Sequence, residues 1–297
     1  MNPQTLGMWQ IIIGAICWGI LGILGAALNR LGFPGSEVAT LRIIIAALIL
    51  LLSLPYFLPH LKQAKAQNLP FLFLQSMIGM LGMSLCYFAS VARVGSSLAV
   101  ALLYTAPIWS LIMARLILGE GIHRKSALLT LVAALGVGLT MAGGAKADGW
   151  GILYGLGAGI CYALYGVLGK RAMKGNPPML VFFTSICFSA LVLVLLPSTH
   201  HTIGKLLAQS WPAWLSAVSL SLIGTIAAFG LYVKGLEKMP AAKASVFTVF
   251  EPLTAVLLAT VLLGERLSIM QYVGVALIIA VAVLNAVPHR PKLPSAG

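Results

Sequence analysis

The landmarks of this chain occur twice, about half its length apart. Cys17-Trp18-Gly19-Ile20-Leu21-Gly22 returns 144 residues on as Cys161-Tyr162-Ala163-Leu164-Tyr165-Gly166, and Pro34 returns at the same offset as Pro178. Tyr87, Ala106-Pro107 and Gly119-Glu120 return 145 residues on as Tyr232, Glu251-Pro252 and Gly264-Glu265. Nearly everything between them is apolar: 60% of the residues are hydrophobic and 8% are charged, where a soluble domain carries about 25% charged residues. No aqueous fold of this length can bury so much apolar surface, so the solvent must be lipid. A duplicated, apolar chain points to a membrane transporter built from two structural repeats.

The formal charge of +13 would suit nucleic acid, but the basic residues sit in short gaps between apolar runs. That placement suits an anionic leaflet, so the expected partner is the lipid bilayer and no nucleic acid. Cys17, Cys86, Cys161 and Cys187 all fall inside apolar runs without a CxxC pair and read as small buried hydrophobes. The first run has no basic stretch before it and further runs follow, so it reads as a span rather than a cleaved signal.

A helix needs about 20 apolar residues to cross the hydrocarbon. Ten runs qualify, near 8–28, 37–58, 69–91, 96–117, 125–143, 150–171, 177–197, 212–234, 241–263 and 269–287, divided by Pro, Gly or charge. With a cytoplasmic N-terminus, the inner loops and tails hold Lys62, Lys65, Arg115, Arg124, Lys125, Lys170, Arg171, Lys174, Lys234, Lys238, Lys243, Arg290 and Lys292. The outer loops hold only Arg30, Arg93, Lys146, Lys205 and Arg266. This bias puts both termini in the cytoplasm. The repeats are then 1–144 and 145–297, each with five spans. An odd number of crossings turns the second repeat over relative to the first, which lets a carrier exchange inward-open and outward-open forms. The expected fold is therefore all-α and integral to the membrane: ten transmembrane helices as two inverted five-helix repeats around a central cavity.

The landmarks resemble the drug/metabolite transporter superfamily in its ten-span EamA-like branch. The most specific stretch is Tyr232, Gly235-Leu236, Pro240-Ala241, Ala244, Glu251-Pro252, Leu263-Gly264-Glu265-Arg266, Gln271 and Gly274, joined by Trp18-Gly19 and Arg42; Ala106-Pro107 is the looser first-half version of Glu251-Pro252. The resemblance implies a secondary carrier exporting amino acids or related metabolites across a bacterial inner membrane. Within the family the chain looks most like amino-acid exporters, the aromatic-amino-acid type among them.

A charged side chain inside a span costs about 2.5–3.5 kcal/mol on insertion scales, so it marks either function or a specific pairing. Glu251, about ten residues into span nine, suits a substrate ammonium or a coupling proton, or else stays neutral and steadies the proline bend. Arg42, inside span two, suits a substrate carboxylate held bidentately, or snorkels to the interface. Together they offer the two charges a zwitterion would seek. Pro107 and Pro252 each remove a helix donor and would free the carbonyls of Leu103 and Thr248 for water, side chain or ligand, as paired hinges or as static bends. Mid-span rings at Trp18, Tyr87, Tyr104, Trp109, Tyr162, Tyr165 and Tyr232 suit stacking with an aromatic or amphipathic solute, or ordinary packing. Gln75, Ser84, Thr105, Thr225 and Thr248 are candidate polar lining. Glu120 and Glu265 read as partners of Arg124 and Arg266 or as helix caps; Lys170-Arg171 and Lys174 read as topological charges. The substrate-binding set is thus Trp18, Arg42, Tyr87, Tyr104, Tyr162, Thr248 and Glu251, with Pro107 and Pro252 as hinges.

No cofactor, no metal and no enzyme activity are expected. There is no HExxH or GxSxG, every His (His60, His123, His200, His201, His289) lies in a loop or tail, and the Gly155-Gly157-Gly159 cluster lacks GxGxxG spacing. The leading reading is a monomeric exporter of small metabolites, amino acids above all, working by alternating access. A drug or nucleotide-sugar carrier of the same fold is the alternative, the second disfavoured because only Arg42 offers an intramembrane cation. A channel or an intramembrane enzyme is the more distant one.

Overall fold

The structure is a computed structural model and describes residues 2–94, 96–122, 124–140, 148–263 and 268–286. His123, Lys146, Gly264, Glu265, Arg266, His289, Arg290 and Lys292 lie outside the described residues. Among those described there is no strand. α1 is Pro3–Arg30, α2 Gly35–Leu52 and α3 Leu54–Leu61; α4 (Leu69–Gln75) passes through a π-helical segment, Ser76–Gly82, into α5 (Met83–Val94). Two residues part α6 (Ser96–Leu103) from α7 (Ala106–Met113), which ends in a second π segment, Ala114–Leu118. α8 is Arg124–Thr140, α9 Gly149–Ala172, and α10 (Pro178–Val194) bends by 95° into α11 (Pro197–Leu207). α12 (Trp211–Ser221) continues through a third π segment, Leu222–Ala227, into α13 (Ala228–Leu236). α14 (Ala241–Phe247) and α15 (Phe250–Leu263) flank Thr248-Val249, and α16 is Ile269–Ala286.

Local chemistry sets these ends. Asn2 accepts from the Gln4 amide at the start of α1, and Pro3 fills a first-turn position where no amide partner is needed. Asp148 accepts from the amides of Trp150 and Gly151 to cap α9, and from Arg93, whose hydrogen bond holds the carboxyl below the usual range. Gly119 takes φ of 72°, a left-handed turn that ends the π segment after α7.

Among the described residues, six stretches are long and apolar enough to cross a bilayer: Pro3–Arg30, Gly35–Leu52, Ala66–Val94, Leu98–Leu118, Gly149–Ala172 and Trp211–Leu236. The bent α10–α11 pair would be a seventh. The runs near 125–143 and 269–287 yield shorter apolar helices, Ala127–Leu139 and Ile269–Val281, and the run near 241–263 is cut in two at Thr248-Val249. Apolar runs are thus helical where they are described, and in the runs near 96–117 and 241–263 the helix is interrupted partway.

Leu52, Leu195, Val261 and Ile269 are exposed, the outward apolar surface that lipid requires. Inside, α1 packs on α13 and α15. A Cβ at Gly19 would fall 2.5 Å from Thr254 Cβ and 2.7 Å from the Glu251 carbonyl, so only glycine lets α1 lie this close to the helix carrying Glu251. Nearer the start of α1, Gly7 and Gly235 face each other in the same way.

Candidate functional site

The site is built on the two helix breaks. The sequence leads one to expect continuous helices kinked at Pro107 and Pro252. Instead the helix stops at Leu103 and at Phe247, and each proline sits in the first turn of a fresh helix, α7 or α15, where its missing amide costs little. The expectation for the Thr248 carbonyl is corrected too: it accepts from the Glu251 amide at 3.0 Å and is not left open. The break brings Glu251 to the first turn of α15, where the helix dipole favours a negative charge.

A cavity of about 560 Å³ opens beside these breaks. Trp18, Arg42, Tyr87, Tyr104, Tyr162, Glu251 and Pro252 line it at mid-depth, and Asn29, Gly35, Val38 and Phe88 line it toward the end of the molecule where α1 stops and α2 begins. Arg42 and Glu251 lie near enough for each charge to act on the other, yet they form no ion pair. The Tyr104 and Tyr162 hydroxyls also stand close to the Glu251 carboxyl without reaching hydrogen-bond geometry. Arg42 Nε, Trp18 Nε1 and both hydroxyls are buried and unpartnered. Each unsatisfied buried group costs about 1–3 kcal/mol, so their convergence on one cavity marks a place prepared for polar contact.

Below the cavity the rings close up. Trp18 lies 4.8 Å from Phe229, 5.4 Å from Tyr232 and 5.9 Å from its repeat partner Tyr162, centroid to centroid, and Tyr165 lies 5.2 Å from Phe229. Tyr165 and Tyr232 are therefore floor rather than lining. Trp109 does not line the cavity either; its Nε1 donates to Thr105 Oγ1.

Several expected lining residues are elsewhere. Thr248 lies beside the Tyr162 hydroxyl, behind the wall, and donates to the Ser245 carbonyl. Gln75 is buried away from the cavity and accepts from Ser185. Thr225 sits in the third π segment, and Pro107 and Thr105 lie outside the lining. Ser84 does line the cavity, its hydroxyl turned to the Met80 carbonyl. Phe229, missed from the sequence, stands at the 145-residue offset from Ser84, so the repeat carried its signal.

The charges at the other end of the molecule also read differently in the structure. Glu120 does not pair with Arg124; it accepts from the amides of Ala241 and Ala242 and caps α14. Lys170 is more than a topological charge: it donates to the carbonyls of Leu236, Glu237 and Met239, where α13 ends. Arg171 donates to the Ile117 carbonyl. On the mouth side, exposed His201 stands 3.9 Å from Glu37, which Lys205 binds at 2.8 Å. Among the described residues no cluster could hold a metal ion.

A family model described as the EamA-like transporter family matches residues 5–142 and again 149–287. The chain belongs to the EamA-like transporter family. It is a multi-pass membrane transporter of the drug/metabolite transporter superfamily, and not an enzyme. Its relatives agree. The uncharacterized transporter YwfM of Bacillus subtilis (strain 168) is 27% identical over 97% of this chain and 96% of its own. The threonine/homoserine exporter RhtA of Escherichia coli (strain K12) is 28% identical over 90% of this chain and 88% of its own. A solved crystal structure superimposes with a TM-score of 0.76 at 15% identity, over 94% of this EamA-like transporter and 96% of that chain, and so shares its fold.

Proposed function

We propose that this transporter is a monomeric secondary carrier that exports amino acids across the bacterial inner membrane by alternating access, with Arg42 and Glu251 gripping the two ends of the zwitterion. The observation that carries this reading is the pair itself: one acidic and one basic side chain lining the same cavity without an ion pair between them. A bound amino acid would set its carboxylate on the Arg42 fork and its ammonium on Glu251. Trp18, Tyr104, Tyr162 and Phe229 would take the side chain, with Tyr87 at the wall and Thr248 setting Tyr162 from behind. An aromatic wall of this size favours bulky apolar side chains over small polar ones. The export of threonine and homoserine named for RhtA supports the amino-acid class. A single cation, Arg42, is a poor match for the several phosphate charges of a nucleotide sugar.

Ten spans in two inverted repeats, 1–144 and 145–297, are the architecture that suits this cycle. The family model's two matches support it. So do the π segments Ser76–Gly82 and Leu222–Ala227, which begin 146 residues apart, and the breaks at 104–105 and 248–249. With both termini cytoplasmic, the cavity mouth faces outward, and Pro107 and Pro252 anchor the broken helices that reorient.

The test is counterflow of labelled amino acids into liposomes holding the purified full chain. Saturable exchange is expected for zwitterionic amino acids, fastest for aromatic ones, and lost for the decarboxylated amine and the N-acetylated acid. If those two analogues exchange as well as their parent, the two-charge grip is wrong.

A further inference from the structure

The cavity mouth lies where α1 ends and α2 begins; in the other direction the packed rings of Trp18, Phe229, Tyr165 and Tyr232 close it off. We propose that Glu120 and Lys170 form the latch that holds it shut, clamping the corner between α13 and α14 from both flanks. Lys170 Nζ lies 2.6 Å from the Leu236 carbonyl and 2.9 Å from those of Glu237 and Met239. Glu120 accepts from Ala241 N at 3.0 Å and from Ala242 N at 3.5 Å. The signs are complementary: an ammonium on the negative end of α13 and a carboxylate on the positive end of α14. Pro240 between them offers no donor of its own.

Helix ends are ordinarily capped by their own flanking residues. Here both caps come from far along the chain, Lys170 from 66 to 69 residues away and Glu120 from 121 to 122. Such caps exist only while α9, the end of the α7 segment and the α13–α14 corner are held together. Arg171, bound to the Ile117 carbonyl, ties the first two of these to each other. The latch also lies on the helices that build the cavity. α9 carries Tyr162 two turns before Lys170, and α14 leads into α15, which carries Glu251. Releasing the corner frees those two walls to part at the shut end.

The inference rests on the alternating-access reading but on no particular substrate, so its test uses none. In the purified full chain with Cys17, Cys86, Cys161 and Cys187 replaced by Ser, single reporters are placed at Ala244→Cys, buried in α14, and at Asn29→Cys, exposed on the mouth. A small hydrophilic methanethiosulfonate then measures their labelling rates. With the latch intact, the mouth reporter reacts fast and the buried one slowly. Glu120→Ala and Lys170→Ala are each expected to speed Ala244→Cys labelling about tenfold and to slow Asn29→Cys labelling at least twofold, the reciprocal mark of a shifted population. Glu120→Gln, which preserves shape and one acceptor, shifts both rates less and in the same directions. Lys170→Arg keeps the parent pattern. Unchanged rates in the alanine variants overturn the latch. So does faster labelling at both reporters together, which would mean simple loosening. A failed counterflow assay alongside a reciprocal shift would leave the latch standing and remove only the amino-acid reading.

Discussion

At the scale of single residues, the cavity concentrates what lipid tolerates least. Glu251 and Arg42 stood out in the sequence because a charge in an apolar run is costly and needs a reason. Their shared cavity was not legible, since 209 residues and several helix packings separate them. The same limit explains Thr248: its sequence position matches a lining residue, but the turn at Thr248-Val249 sends it behind Tyr162. Glu251→Gln keeps the size and removes the charge. A charged hydrogen bond to ligand contributes about 1.5–3 kcal/mol, so substrate affinity should fall roughly 10- to 100-fold while the protein still inserts. Calorimetric or scintillation binding on the purified variant checks this, and parental affinity would remove Glu251 from the site. Arg42→Lys keeps charge but loses the fork; a rise in half-saturating concentration with unchanged maximal rate is expected from counterflow kinetics.

At the scale of elements, small residues and prolines decide how close and how straight the helices run. A β-carbon at Gly19 would meet a backbone carbonyl at 2.7 Å, which cannot swing aside as a side-chain tip can. Gly19→Ala should therefore cost about 1–3 kcal/mol by forcing α1 from α15. A β-carbon at Gly138, in α8, would meet nothing within 4 Å, so Gly138→Ala should gain about 0.5–1 kcal/mol from reduced backbone freedom. Thermal denaturation in one detergent ranks the two; equal melting temperatures would mean that the close approach at Gly19 is slack. The doubled change Pro107→Ala with Pro252→Ala is expected to slow exchange about tenfold with affinity unchanged, measured as counterflow rate against equilibrium binding. Full-speed exchange would make both breaks static packing. The prolines were legible in the sequence, but not their place at helix starts, because proline suits a first turn as well as it kinks a helix. The π segments were silent: Ser76–Gly82 reads as ordinary apolar helix, and it is in the fold that it packs against α9 and α10 with the wider turn.

At the scale of the whole molecule, the repeat and the apolar pattern announced a duplicated membrane transporter, because residue order and hydropathy are both readable without knowing how the helices pack. What holds the shut end together was not legible. Lys170 reaches carbonyls across another helix, and no spacing rule links it to residue 236. The number of crossings can be settled by topology. Counting by length and apolarity among the described residues gives six spans, or seven with the bent pair. Four of these precede residue 148, so the connection between α8 and α9 would return to the side of the N-terminus. Five spans per repeat put that same connection on the opposite side. The excess of Lys and Arg in alternate gaps favours the second arrangement, since positive charge is retained in the cytoplasm. Reporter tags at both tails should therefore read cytoplasmic, and a tag inserted at the α8–α9 connection should read external. An external reading there requires α8 to cross the membrane, and it turns the second repeat over. A cytoplasmic reading would leave the halves parallel and take away the symmetry on which alternating access depends.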